Sequence, residues 1–137
     1  MYKKILVPMA LDHGISPQML DVARVLAEGT GTLVALHVYE VPQGTVSAYV
    51  GEDVVNAGFA RAKERMAEKL EGIKNVEPVL VKGHSARTIM DYAQDNDVDC
   101  IVLGSHKPGL GDYFLGSTAS RVVRHAGCAV HVVRDTP

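Results

Sequence analysis

Short apolar runs alternate with longer helix-like segments along the whole chain. Four of these segments separate the runs and carry apolar residues at spacings of three and four, the period of an amphipathic helix. The runs are rich in Val, Ile and Leu and span residues 3–9, 32–39, 76–82, 100–104 and 129–134. Strands that alternate with helices build βαβ units, in which the strands run parallel. The sequence therefore predicts an α/β domain with an open five-stranded parallel sheet and helices on both faces.

Length and composition predict one domain over residues 1–137. With 137 residues and 47% hydrophobic content, the chain can bury a single core. The net charge is -2 and the basic residues are spread out, which removes the usual electrostatic reason to expect nucleic-acid binding. No apolar stretch reaches the ~18 residues of a membrane helix, and the N-terminal one is too short for a signal peptide. We therefore expect a cytoplasmic protein with neither a nucleic-acid nor a membrane partner.

The composition of the strands predicts their order in the sheet. "ILV", "LVALHV" and "CIVLG" are nearly continuous apolar runs, which is typical of strands covered on both faces. The third strand carries Pro78, which cannot donate a ladder hydrogen bond and therefore belongs on an edge. With right-handed crossovers, one economical order is 3-2-1-4-5, which we take as the prediction.

That order changes direction between strands one and four. Ligands of open α/β sheets bind at such a switch point, outside the carboxyl ends of the strands. The residues at these ends are Pro8, Met9 and Ala10 on one side and Leu103 and Gly104 on the other. We therefore expect a ligand crevice between these two groups.

The sequence also predicts where the helices begin and which of their residues face the sheet. Ser16 can cap the first helix, Pro17 suits its first position, and the helix should end near Gly29. Ile15 can pack on Leu20 as a hydrophobic staple. The residues expected to face the sheet are Val55, Phe59, Ala62, Met66 and Leu70 in the second helix, Ile89 and Ala93 in the third, which follows Ser85, and Val122, Val123 and Ala126 in the fourth, which stops at Gly127.

A glycine-rich stretch, "GSHKPGLGDYFLGST", joins the fourth strand to the fourth helix over residues 104–118. Free N–H groups and the positive dipole end at a helix start favour an anion, and Ser117 and Thr118 offer hydroxyls there. The glycines allow close backbone approach, while His106 or Lys107 could add positive charge. The stretch lacks the lysine of a P-loop, and the first strand does not lead into GxGxxG. Phosphate binding and simple turn formation both remain open on this pattern.

The chain resembles the universal stress protein family over essentially its whole length. The resemblance is carried by "KKILVPM", "LVALHV", "VKGHSARTIMDYA" and "DCIVLGSHKPGLGDYFLGSTASRVVRHAGCAVHVVR". It implies an α/β domain with the order 3-2-1-4-5, dimerisation and, in one branch, binding of ATP or another adenine nucleotide, with or without Mg²⁺.

The phosphate-binding pattern of that branch is G-x2-G-x9-G-[ST]. Gly104 matches its first glycine, and Gly116 with Ser117 matches its end. Lys107 replaces the second glycine, and the loop is one residue shorter, which resembles a sub-branch with "SHKP" after the first glycine. The resemblance implies that the phosphates are surrounded by Gly104, His106, Lys107, Gly116, Ser117 and Thr118.

The adenosine end departs from the family pattern. The resemblance implies that Pro8, Met9 and Val38 line the adenine pocket. The family usually has an aspartate after the first-strand proline that contacts the ribose, but this chain has Ala10. Asp12 either takes over that contact or is only a loop residue, in which case the backbone and Gly83 would hold the ribose.

Three hypotheses for function follow. The leading one is an ATP-binding stress protein with a regulatory role, whose bound state is read by an unknown partner protein. The alternatives are a slow ATP hydrolase or self-phosphorylating enzyme that uses Ser117 or Thr118, and an interaction dimer without nucleotide. No nucleophile with a base, and no metal-binding spacing of histidines, is visible in the sequence.

Cys100 and Cys128 are predicted to be small core residues.

The fifth strand is predicted to form a homodimer interface. In the order 3-2-1-4-5 it is an edge, and "AVHVV" contains neither Pro nor Lys to protect that edge from pairing. Two copies related by a two-fold axis could pair antiparallel through Ala129–Val133. Val130 and Val132 would then be buried with their symmetry mates, as the family resemblance also implies.

Overall fold

The computed structural model describes residues 1–11, 14–41, 51–105 and 115–134. Within those ranges the chain forms four helices and one parallel five-stranded sheet of order β3-β2-β1-β4-β5. The strands are β1 (Lys4–Pro8), β2 (Thr32–Glu40), β3 (Val76–Gly83), β4 (Cys100–Gly104) and β5 (Ala129–Val133). The helices are α1 (Pro17–Leu26), α2 (Glu52–Lys69), α3 (Ser85–Asp95) and α4 (Ser117–His125). The predicted fold class and strand order are confirmed.

Burial along the strands explains the order. The middle of β1 is fully buried, with Ile5, Leu6 and Val7 at 0% exposure, as expected for a strand with neighbours on both sides and helices on both faces. At the edge, Glu77 and Pro78 of β3 are exposed. An exposed edge tolerates a residue without an N–H group, so the position predicted from the proline is correct.

Helices cover both faces of the sheet. Residues of α1 and α2, such as Met19, Ala23 and Met66, share one buried cluster with Ile5 and Val7. Residues of α3 and α4, such as Ile89 and Val122, share the other. Among the described residues, the sheet is therefore the middle of three layers, with both of its faces covered by helices.

The start of α1 follows the predicted capping chemistry. The Ser16 hydroxyl oxygen accepts a hydrogen bond from the Met19 N–H group at 3.1 Å, and Pro17 is the first helical residue. Ile15 and Leu20 lie in the same buried cluster. The helix ends at Leu26, before the predicted Gly29, because Glu28 already has a positive φ of 54°. A residue in the left-handed region cannot continue a right-handed helix.

The inward stripe of α2 agrees with the prediction, with one addition. Ala62 and Met66 are buried, while the remaining predicted residues are partly buried. Gly58 is also buried, and a Cβ atom there would collide with the Tyr39 hydroxyl. The glycine therefore allows α2 to approach β2 closely, which a search for apolar residues does not reveal.

One predicted inward residue of α4 is wrong. Val122 is fully buried and Ala119 is 5% exposed, but Val123 is 45% exposed. Successive helical residues differ by about 100° around the axis, so Val122 and Val123 cannot both face the sheet. The inward face is formed by Ala119, Val122 and the partly buried Ala126.

Both cysteines are free and pack in the protein, as predicted. Cys100 is 1% exposed, and burial raises the pKa of its thiol to about 11. Cys128 is partly buried, and burial likewise raises the pKa of its thiol. Both groups are therefore protonated at neutral pH.

None of the helices described is long and apolar enough to cross a bilayer.

Candidate functional site

A cleft of about 490 Å³ opens at the carboxyl ends of β1, β2 and β4. It lies at the predicted switch point of the sheet. Its lining residues are Pro8, Met9, Ala10, Gly14, Ser16, Met19, Leu36, His37, Val38, Ser85, Ile89, Leu103, Gly104, Thr118 and Ala119. The strands supply the floor, and the first residues of three helices supply much of the rim.

The cleft brings together most of the residues predicted from the sequence. Those that line it are Pro8, Met9, Ala10, Val38, Leu103, Gly104 and Thr118. Gly116 and Ser117 immediately precede Thr118 at the start of α4 but are not part of the lining. Asp12, His106 and Lys107 lie outside the residues that the structure describes, so their roles stay predictions.

The structure does not bring Gly83 to the cleft. This residue ends β3 with a positive φ of 156°, and a Cβ atom there would collide with the Thr88 side chain. The backbone geometry and the close approach of Thr88 explain a glycine at this position without any ligand.

The amino-terminal ends of α1, α3 and α4 all reach the cleft, through Ser16, Ser85 and Thr118. The first N–H groups of a helix have no partner within the helix, and its start carries a partial positive charge, which together favour an anionic group. The three ends differ in whether the protein itself already supplies a partner for their N–H groups. The helix starts are therefore not equivalent as binding places for an anion.

The start of α3 is occupied by a carboxylate of the protein. Glu40 is the last residue of β2, and its Oε1 accepts hydrogen bonds from the Ser85 hydroxyl at 2.6 Å and from the Ser85 N–H group at 3.4 Å. The hydrogen bond from the Ser85 hydroxyl holds the pKa of Glu40 below its ordinary value. Glu40 is therefore ionised at neutral pH and compensates the positive end of this helix.

The start of α4 has no such compensation from its cap. Its N-cap residue is Gly116, which has no side chain to offer, whereas Ser16 caps α1 with its hydroxyl. A Cβ atom on Gly116 would meet nothing within 4 Å among the described residues. Of the three helix starts, that of α4 therefore offers the best place for an anion.

The part of the cleft on the β2 side of β1 has an apolar wall. Leu36 and Val38 of β2 and Ile89 of α3 are at most 8% exposed and line the space next to Ser85. Met9 adds to this wall from the end of β1. Such a surface suits a flat, weakly polar group of a ligand.

His37 also lines the cleft, although it is not among the site residues predicted from the sequence. Its ring is half-buried, as expected for this strand position, but it also faces the cleft. His37 Nδ1 lies 2.9 Å from the carbonyl oxygen of Met9. Since a carbonyl can only accept, Nδ1 is the donor, which leaves Nε2 for another partner. The signal was a polar residue in the apolar run "LVALHV" beside Val38, near the carboxyl end of the strand.

Comparisons with known proteins agree with this architecture. A family model described as the universal stress protein family matches residues 1–134. A universal stress protein of Thermus aquaticus is 34% identical over 143 residues, covering 98% of this chain and 100% of the relative. The solved structure of the UspA protein from Lactobacillus plantarum is 30% identical, covers 97% of this chain and 98% of its own, and has a TM-score of 0.72. A universal stress protein solved in complex with cAMP has a TM-score of 0.61 at 22% identity, with 98% of this chain and 99% of that chain covered.

Proposed function

The chain belongs to the universal stress protein family, and we propose that it binds an adenine nucleotide in the cleft at the switch point. ATP is the expected nucleotide, and the bound state would be read by a partner protein as part of a stress response. The observation that carries this proposal is the asymmetry of the cleft, which has an apolar wall on one side and, among the described residues, a helix start without a side-chain cap on the other.

The two ends match the two ends of a nucleotide. The apolar wall near Val38 and Ile89 accommodates a base, while the start of α4 provides N–H groups and a positive dipole end for phosphates. Glu40 works against the reverse orientation, because its carboxylate would repel a phosphate placed at the start of α3. The cAMP complex of a universal stress protein with the same fold supports an adenine nucleotide as the ligand.

Calorimetry on protein stripped of nucleotide tests the proposal. We expect ATP to bind with a dissociation constant below the millimolar range, because base and phosphates are held at separate ends. Absence of binding at millimolar ATP would contradict the proposed function. The Gly116→Val variant should bind ATP about tenfold more weakly, equivalent to ~1.4 kcal/mol, because its side chain would occupy the space for phosphates.

Gly127→Val is the matched control for that variant. A Cβ atom on Gly127 also meets nothing within 4 Å among the described residues, but Gly127 follows the carboxyl-terminal end of α4, whereas Gly116 caps the end at which Thr118 lines the cleft. Its ATP affinity should equal that of the unaltered protein. Equal affinities in all three proteins would show that the phosphates do not lie at the start of α4.

A slow hydrolase or self-phosphorylating enzyme is the alternative hypothesis. Thr118 lines the cleft and Ser117 does not, so Thr118 is the better acceptor candidate for a phosphoryl group. Binding of Mg²⁺ with the nucleotide and a cytoplasmic location stay predictions.

We further propose a homodimer through β5. The Val133 carbonyl oxygen accepts a hydrogen bond from the Ser105 N–H group at 3.0 Å, so the backbone groups of Val133 face β4. Because successive residues of a strand point their backbone groups to opposite sides, those of Val130 and Val132 face outward, where a second copy could pair with them. The side chains of both residues are only partly buried in the single chain.

Val132→Pro should convert the dimer into a monomer, because proline removes an outward donor while leaving the hydrogen bonds between β4 and β5 in place. Light scattering should give twice the chain mass of 14.7 kDa for the unaltered protein and the single mass for the variant. Val132→Ala keeps the N–H group and should remain dimeric. A folded Val132→Pro dimer would place the interface elsewhere.

A further inference from the structure

We propose that Ser85, oriented by Glu40, makes the cleft selective for adenine by accepting a hydrogen bond from the 6-amino group of the base. This inference rests on the proposed function, since it concerns which nucleobase the same cleft takes. Ser85 is half-buried and lines the cleft, whereas Glu40 is exposed, is not part of the lining and positions the Ser85 hydroxyl.

The orientation of the Ser85 hydroxyl follows from its bond to Glu40. A serine hydroxyl has one hydrogen to donate and two lone pairs with which to accept. The distance of 2.6 Å from Ser85 Oγ to Glu40 Oε1 is that of a short, charge-assisted hydrogen bond, which commits the single hydrogen to the carboxylate. The oxygen therefore presents only lone pairs to a ligand.

The base is expected at this end of the cleft for two reasons. Leu36, Val38 and Ile89 form an apolar wall beside Ser85. The Glu40 carboxylate compensates the start of α3 and repels phosphate, which directs the charged end of the ligand toward α4. Ser85 is then a polar side chain next to the base, together with His37.

An acceptor at this position distinguishes the purine bases. Adenine carries an amino group at C6, which donates, whereas guanine and hypoxanthine carry a carbonyl oxygen there, which accepts. A carbonyl facing Ser85 would set two acceptors against each other and leave both without a hydrogen. The pair of Glu40 and Ser85 should therefore reject 6-oxopurines.

Calorimetry with ATP and ITP tests this inference, because the two nucleotides differ in their base at C6 and in protonation of the neighbouring ring nitrogen. The unaltered protein should bind ATP at least about tenfold more tightly than ITP. Ser85→Ala should reduce this preference to less than about threefold, because the variant neither bonds to the amino group nor opposes the carbonyl. Ser85→Thr keeps the hydroxyl and should retain the preference, which separates the role of the oxygen from a general effect on the start of α3.

Glu40→Gln provides a second measurement. The glutamine side chain is nearly isosteric but can donate to Ser85 through its amide, which frees the serine hydrogen for a carbonyl ligand. ITP affinity should rise relative to ATP affinity in this variant. Far-UV circular dichroism and a thermal melt show whether each variant is folded.

The outcomes separate this inference from the function on which it rests. Equal binding of ATP and ITP by the unaltered protein would overturn the inference and leave nucleotide binding intact. An unchanged preference in folded Ser85→Ala would overturn it as well, since the selectivity would then come from other groups. Binding of neither nucleotide would refute the proposed function, and the inference would fall with it.

Discussion

Replacing Gly104 by valine is expected to lower the affinity for ATP by about a hundredfold while leaving the protein folded. Gly104 ends β4 on the floor of the cleft, at the switch point. A Cβ atom there would lie 3.6 Å from Met19 Sδ, which is an ordinary van der Waals contact, so the first added carbon fits. The two further methyl groups of valine have to enter the cleft, where they compete with the ligand. A branched side chain also suits a strand position, which favours retention of the fold.

Gly104→Ala is the graded control for this substitution. Its single added carbon should weaken ATP binding by much less than valine does, because it only reaches the contact with Met19. Calorimetry gives the affinities, and thermal unfolding shows whether the two variants match the unaltered protein in stability. If folded Gly104→Val bound ATP normally, the nucleotide would not pass over the end of β4, and the switch point could not be its site.

The sheet and the position of the cleft could be predicted because both depend on local patterns. Pro78 placed β3 at an edge, and the nearly continuous apolar runs placed β1, β2 and β4 inside. The strand order then fixes which carboxyl ends flank the switch point. This is why the sequence predicts Pro8, Met9 and Gly104 at the cleft, where the structure places them.

The contact between Glu40 and Ser85 could not be predicted in the same way. The two residues are 45 positions apart in the chain, and they meet because the register of β2 and β3 pairs Glu40 with Gly83, two residues before Ser85. No local sequence pattern around either residue indicates the register of β2 and β3. A polar contact made across strands depends on the pairing of the whole sheet, which apolar periodicity does not fix to the residue.

The same limit explains the error in α4. The letters "RVVRH" contain two adjacent valines, and apolar character alone does not say which of them faces the sheet. The answer depends on the rotation of α4 about its axis. That rotation also decides whether Thr118 and Ala119 line the cleft. The packing of this helix therefore determines the geometry of the proposed site.

Two alanine substitutions at neighbouring positions test this rotation. Val122→Ala should lower the free energy of unfolding by about 2–3 kcal/mol, because it removes two buried carbon atoms and leaves a cavity in a fully buried site. Val123→Ala should change the free energy of unfolding by less than about 0.5 kcal/mol, because that side chain is 45% exposed and alanine has the higher helix propensity.

Urea unfolding of both variants beside the unaltered protein provides the measurement. The two substitutions remove the same atoms from the same helix, so differences in chemistry cancel and only the direction of each side chain remains. Equal losses, or a larger loss at Val123, would mean that α4 is rotated from the position described. Ala119, three residues before Val122, would then turn away from the sheet, and Thr118 would move with it. The start of α4 would then no longer line the cleft, and the phosphate end of the proposed nucleotide site would be lost.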